Sequence, residues 1–113
     1  MIPKAGELYF LDHPSYRLGK SKYGRFILVV RVDLKRREAE IVYGSTKTEL
    51  AGPQDIILRK QDNPEFLASG LKDSTCFLPD SKMIPLSLLT AKKGEAVGLV
   101  RQELEEWWGD KFV

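Results

Sequence analysis

An arginine, a serine and a threonine are the residues of this chain best placed to do chemistry. In "KYGRFILVVRVD" (22–33) Arg25 stands between a glycine and an apolar run, and in "AEIVYGST" (39–46) Ser45 and Thr46 close a second apolar stretch. If the two stretches pair as an antiparallel hairpin across the polar "LKRRE", Arg25 opens one strand where Ser45 and Thr46 end the other. The three groups then converge at one edge of a sheet. A planar cation with fixed N–H donors beside a hydroxyl donor suits a phosphorane-like transition state. It suits a plain phosphate contact equally well, and a solvated strand-end charge is the simplest alternative.

Little else in the chain offers catalysis. There is no Gly-rich phosphate loop, no H-E-x-x-H, no G-x-S-x-G and no pair of carboxylates on a helix face, which removes most common enzyme classes. His13, the sole histidine, precedes Pro14 and reads as a structural or solvated loop residue. Cys76, the sole cysteine, sits in an apolar run and reads as a small buried hydrophobe, so neither an internal disulfide nor a zinc site is expected. No metal and no cofactor is expected.

With 113 residues, 42% of them hydrophobic and 30% charged, the chain fits one globular domain over 1–113 that can bury a core without disulfides. No apolar run approaches the roughly 20 residues of a membrane helix, and "MIPKAGELYF" lacks the pattern of a secretory signal, so a soluble cytoplasmic protein is expected. Eighteen Lys and Arg against sixteen Asp and Glu leave a net charge of +2, too small to imply nucleic-acid binding by itself. The distribution says more. Basic residues gather in "YRLGKSKYGR" (16–25) and "RVDLKRRE" (31–38), and acidic ones in "RQELEEWWGD" near the C-terminus. A basic face for an anionic partner follows from this asymmetry.

The elements that must position Arg25 read as mainly β. "ELYFLD" (7–12) is a first strand, "RFILVVRVD" (25–33) a central one, "AEIVYGST" (39–46) its hairpin partner, and "DIILRK" (55–60) a further strand after a Gly-Pro turn. "NPEFLASG" (63–70) has the N-cap, first-turn proline and closing glycine of a short helix. "STCFLP" and "SKMIP" are strand-like on either side of Pro79 and Asp80, and "EAVGLV" (95–100) reads as a last strand. "RQELEEWW" then reads as a helix with Leu104, Trp107 and Trp108 on one face. The expected fold is mainly β with short helices: a small SH3-like barrel or strongly bent antiparallel sheet with a C-terminal helix. A parallel α/β fold is excluded by the lack of long helices between strands.

In their order these motifs resemble the PemK/MazF-like toxin family, endoribonucleases of bacterial toxin–antitoxin pairs. "GELYFLD", the loop "HPSYRLGKSKYG" and "RFILVV" match that family's first strand, long loop and arginine-led strand, with Arg25 on the catalytic arginine. "IVYGST" matches a second strand ending in the catalytic hydroxyl, on Ser45 or on Thr46 if the register slips by one. "GLKDSTCFL" matches the later Gly-Leu-x-x-Asp-Ser strand, and "VGLVRQELEEWW" the last strand and helix. The chain departs from the pattern at Phe26, where a proline usually follows the arginine. It departs again at Lys20 and Ser21, in place of a Ser-Glu-Gln stretch, and at Asp80, in place of a glutamine.

The resemblance implies a metal-independent nuclease for single-stranded RNA that works through the RNA's own 2′-hydroxyl. Arg25 would stabilise the pentavalent phosphorus, and Ser45 or Thr46 would donate to a non-bridging oxygen. Arg17, Lys20 and Lys22 would hold flanking phosphates, and Tyr23 would stack on a base. It also implies a homodimer and a cognate antitoxin with an acidic tail. The rival reading is a non-catalytic interaction module of the same fold, comparable to the gyrase-poisoning CcdB toxins or to an inactive PemK-like protein.

Overall fold

The structure is a computed structural model that describes residues 2–16, 24–46, 56–58, 70–71, 74–96, 101–102 and 105–106. Among the described residues six strands make one sheet: β1 (Glu7–Leu11), β2 (Arg25–Asp33), β3 (Glu38–Ser45), β4 (Ile56–Leu58), β5 (Thr75–Pro85) and β6 (Lys92–Glu95). They lie in the order β4-β5-β3-β2-β1-β6, every neighbouring pair antiparallel. Single turns of 3-10 helix at Pro14–Tyr16 and Leu86–Leu88 flank it. The sheet curls into a half-barrel, helped by register shifts at Leu8/Tyr9, Val29/Arg31 and Val42/Gly44, because bulges sharpen the local twist.

The unbroken apolar run of β2 has a direct cause: both faces of the strand are covered. Leu28 and Val30 face a cluster with Leu8, Val42, Leu71, Phe77 and Ala96, and Phe26 packs against it. Ile27 and Val29 face the other, with Tyr9, Leu11, Ala39, Ile41, Tyr43, Ile84 and Leu89, over which Tyr16, Leu86 and Leu88 fold. All four β2 aliphatics from Ile27 to Val30 are fully buried, each contributing about 1.5–3 kcal/mol relative to exposure.

The expected β2 agrees with the structure, and β3 begins one residue earlier than expected, after a turn at 34–37. One expectation changes, and two others fall mostly outside the described residues. The two strand-like pieces around Pro79 are one continuous strand, β5. Val42 pairs with Ser81 but Gly44 with Phe77, so β5 bulges across 78–80, and a bulge tolerates a residue without an N–H. A strand that was not expected, β6, covers Lys92–Glu95, and of the expected strand 95–100 only Glu95 and Ala96 are described. The residues of β6 are mostly exposed, so it carries no apolar signature, and 97–100 lie outside the described residues. Of the expected C-terminal helix only Arg101, Gln102, Glu105 and Glu106 are described, joined by an Arg101–Glu105 ion pair at 3.0 Å. These are too few to define a helix. Leu104, Trp107, Trp108 and the expected helix at 63–69 lie outside the described residues. Among the described residues no helix is long and apolar enough to cross a membrane.

Two devices hold β6 at the sheet edge. Gly70 has φ +77°, and a Cβ added there would lie 2.0 Å from the Lys93 carbonyl oxygen, so the chain approaches β6 as only glycine can. On the inner side, the buried Glu7 carboxylate takes Lys92 Nζ on Oε2 at 2.7 Å. Its Oε1 accepts the Lys4 amide at 2.7 Å and the Tyr9 hydroxyl at 2.9 Å. Burial pushes the Glu7 carboxyl up, but Lys92, the Lys4 amide and Tyr9 together outweigh it and leave the pKa lowered. Burial and the neighbouring carboxylate push the Tyr9 hydroxyl up to about 12.

Gly70→Ala should cost at least about 2 kcal/mol in urea unfolding, since it combines a left-handed backbone with a backbone collision; a loss under about 0.5 kcal/mol would contradict this packing. A carboxyl with a depressed pKa contributes stability above its unfolded value of about 4.5, which is lost as pH falls through the folded value. Unfolding free energy measured from pH 6 down to pH 2.5 should therefore fall from about pH 4.5 downward, and less steeply in Glu7→Gln.

Candidate functional site

The end of the sheet where β2 begins and β3 finishes holds an open cleft of about 320 Å³. Arg25 pairs across from Leu11 of β1, and Ile27 across from Tyr43 of β3. Continued by two residues, the second register sets Arg25 level with Ser45. Arg25, Ser45, Thr46 and Thr75 supply the polar lining, Phe10 and Phe26 the aromatic lining, and Gly24 and Gly44 the backbone between them. By strand alternation Arg25 and Ser45 belong to the face of Ile27 and Tyr43, and Phe26 and Gly44 to the other. The cleft thus wraps around the strand ends and draws on both faces.

Arg25 is bound loosely for a half-buried cation. Its Nη1 donates to the Gly44 carbonyl at 3.4 Å, while its Nε is buried without a hydrogen-bond partner. Arg31, Arg36 and Arg101 each reach a carboxylate, on Glu40, Asp33 and Glu105; among the described residues Arg25 has no such partner. An unmet buried donor costs about 1–3 kcal/mol, which a solvated strand-end charge would not incur. Among the described residues, therefore, no anion compensates the guanidinium in the cleft.

Gly44 shapes the wall beside it. A Cβ there would lie 2.8 Å from Thr75 Cγ2 and 3.2 Å from both the Phe26 carbonyl oxygen and Phe77 Cε1. Without a side chain, β3 and β5 close up under the cleft, and the Gly44 carbonyl meets the guanidinium. Phe10 and Phe26, directly opposed in the β1–β2 ladder, pack edge to face at 5.6 Å and 76°. On the other face, the Tyr43 hydroxyl donates to the Tyr16 carbonyl at 2.6 Å. Burial, and next to it Tyr16, raise the Tyr43 pKa, so it stays a donor at neutral pH.

Of the residues singled out from sequence, Arg25, Ser45 and Thr46 line one cleft; Arg17, Lys20, Lys22 and Tyr23 lie outside the described residues. Phe10, Gly44 and Thr75 belong to the lining but were not singled out. The hairpin offered a signal for Gly44 alone: once Arg25 and Ser45 are level, Gly44 faces Phe26, whereas Phe10 and Thr75 come from β1 and β5. His13 accepts the Ser15 amide on Nδ1 at 3.2 Å, and Cys76 is buried. No group of three or more His, Cys, Asp or Glu among the described residues could hold a metal ion.

No protein-family model and no curated protein sequence matches the chain. A solved structure does. The Mycobacterium tuberculosis toxin MazF-mt6 superposes with a TM-score of 0.62 over 94% of this chain and 95% of that one, at 14% sequence identity. The chain therefore has a MazF-like fold.

Replacing Arg25 by methionine fills the same space without the orphaned donor. Arg25→Met should leave the unfolding free energy unchanged or raise it, by up to about 1 kcal/mol, in urea titration. A loss above about 1.5 kcal/mol would mean that the guanidinium is a structural tie.

Proposed function

We propose that this protein is the toxin of a toxin–antitoxin pair and cleaves single-stranded RNA without a metal ion. The observation that carries the reading is the guanidinium of Arg25, with its Nε unmet and no anion beside it among the described residues, in a cleft that it shares with the hydroxyl-bearing Ser45 and Thr46. The MazF-like fold supports it, as does the place of that arginine at the head of β2.

In this reaction the 2′-hydroxyl of the RNA attacks the adjacent phosphorus, the P–O5′ bond breaks, and a cyclic phosphate and a 5′-hydroxyl remain. The 2′-hydroxyl proton leaves to solvent as the attack proceeds, and the departing 5′-oxygen takes a proton from solvent. Charge develops on the non-bridging oxygens, and Arg25 meets it with N–H donors in a fixed fork while a hydroxyl of Ser45 or Thr46 donates to a second oxygen. Arginine stays protonated, with a pKa above about 12, so its work is electrostatic and, at the departing 5′-oxygen, donation of a hydrogen bond. The Phe10 and Phe26 wall offers an apolar surface to a base beside the scissile phosphate. Arg17, Lys20 and Lys22 bind flanking phosphates, and Tyr23 stacks on a neighbouring base. The protein works in the cytoplasm as a homodimer, and an antitoxin with an acidic segment neutralises it by covering the basic face.

Purified protein incubated with a long RNA in EDTA should release fragments ending in cyclic phosphate. Arg25→Ala and Arg25→Lys should each lower the cleavage rate by at least about 100-fold, since lysine keeps the charge but loses the planar fork. Intact RNA in EDTA and in magnesium alike would leave the interaction module as the better reading.

A further inference from the structure

One buried polar contact beside the cleft lies outside its lining. Tyr43 is 6% exposed, sits two residues before Ser45 on β3, and spends its hydroxyl on the carbonyl of Tyr16 at 2.6 Å. Tyr16 ends the 3-10 turn Pro14–Tyr16; beyond it the chain continues into residues 17–23, which carry Arg17, Lys20 and Lys22. Two more contacts hold the same residue. Lys82 of β5 places its ammonium 5.3 Å from the centre of the Tyr16 ring, and the Tyr16 amide donates to the His13 carbonyl at 2.9 Å. Strands β3 and β5 thus each contribute a side chain to one grip on Tyr16, beside the turn's own hydrogen bond.

We infer that Tyr43 is a positioning residue: its hydroxyl pins the point where the basic segment departs to the strand end that bears Ser45. The argument is geometric. A hydroxyl buried in an apolar cluster must find an acceptor, and here the acceptor is a main-chain carbonyl 27 positions away, so a β3 side chain fixes the backbone between β1 and β2. Phenylalanine would fill the cluster equally well, so the hydroxyl's contribution is to location. Its role in RNA binding rests on the nuclease reading; the pinning itself does not.

Limited trypsin digestion of the full-length protein separates the two. Cleavage after Arg17, Lys20 and Lys22 is followed by mass spectrometry against cleavage after Lys35, Arg36 and Arg37 in the β2–β3 turn, an internal reference at the far end of both strands. Tyr43→Phe should speed cleavage at the first group about threefold to tenfold, the range expected for one lost hydrogen bond, and leave the second unchanged. Lys82→Gln should act in the same direction and less strongly. No change at the first group, or a parallel rise at both, overturns the inference. With RNA as substrate, Tyr43→Phe should raise KM and keep kcat; a fall in kcat at constant KM also overturns the positioning role. If the wild-type protein leaves RNA intact, the nuclease reading fails and the digestion still decides the pinning.

Discussion

The register of β2 between its two neighbours governs the placement of everything at the cleft. Leu28 pairs with Leu8 on one side and with Val42 on the other, Ile27 with Tyr9 and Tyr43. Because both faces of the strand are buried in separate clusters, a slip by one residue would exchange the two faces everywhere at once. It would also push Arg25 toward the Phe26 side and a phenylalanine toward the Ser45 side. The core therefore holds Arg25 level with Ser45 more firmly than contacts of the guanidinium itself could, its one hydrogen bond being 3.4 Å long.

The two ends of this sheet treat charge in opposite ways. At the end where β1 begins, the Glu7 carboxylate is buried and met by an ammonium, an amide and a phenol. Along β2 and β3, the cross-strand pair Arg31–Glu40 is closed, with Ser81 donating to the same carboxylate at 2.5 Å. At the cleft end a guanidinium is left without an anion among the described residues and with one donor unmet. Among the described residues the exposed Arg37 of the 34–37 turn also lacks a carboxylate, but only Arg25 has a buried donor unmet, and its charge is the one that an anion entering the cleft could satisfy.

Curvature links these ends. The β5 bulge lets a proline pass through the sheet interior, and Gly70 brings the chain against the Lys93 carbonyl while Leu71 enters the core beneath. Among the described residues, the apolar cluster on that face is closed by Ala96 and Leu71. The opposite cluster is covered by the two 3-10 turns. One of these turns contains Tyr16, so the lid over a hydrophobic cluster is also the departure point of the basic segment.

Sequence alone determined the central hairpin and the meeting of its ends, because a run such as "RFILVVRVD" with a polar turn and "AEIVYGST" after it has one pairing that buries both apolar stretches. From that pairing the nearness of Arg25 to Ser45 and Thr46 follows by counting. It also identified Cys76 as buried. It did not reveal that Pro79 lies within a strand, since a bulge is a property of the β3–β5 pairing and leaves no mark on "FLPDSKM". Nor did it find β6, because "KKGE" is exposed and is a strand only through its bonds to β1 and the Glu7–Lys92 pair. The cleft's aromatic wall, the collision that keeps residue 44 a glycine, and the hydroxyl of Tyr43 on the carbonyl of Tyr16 were decided by tertiary structure. Each depends on atoms far apart in the chain, whose approach no local pattern of residues encodes.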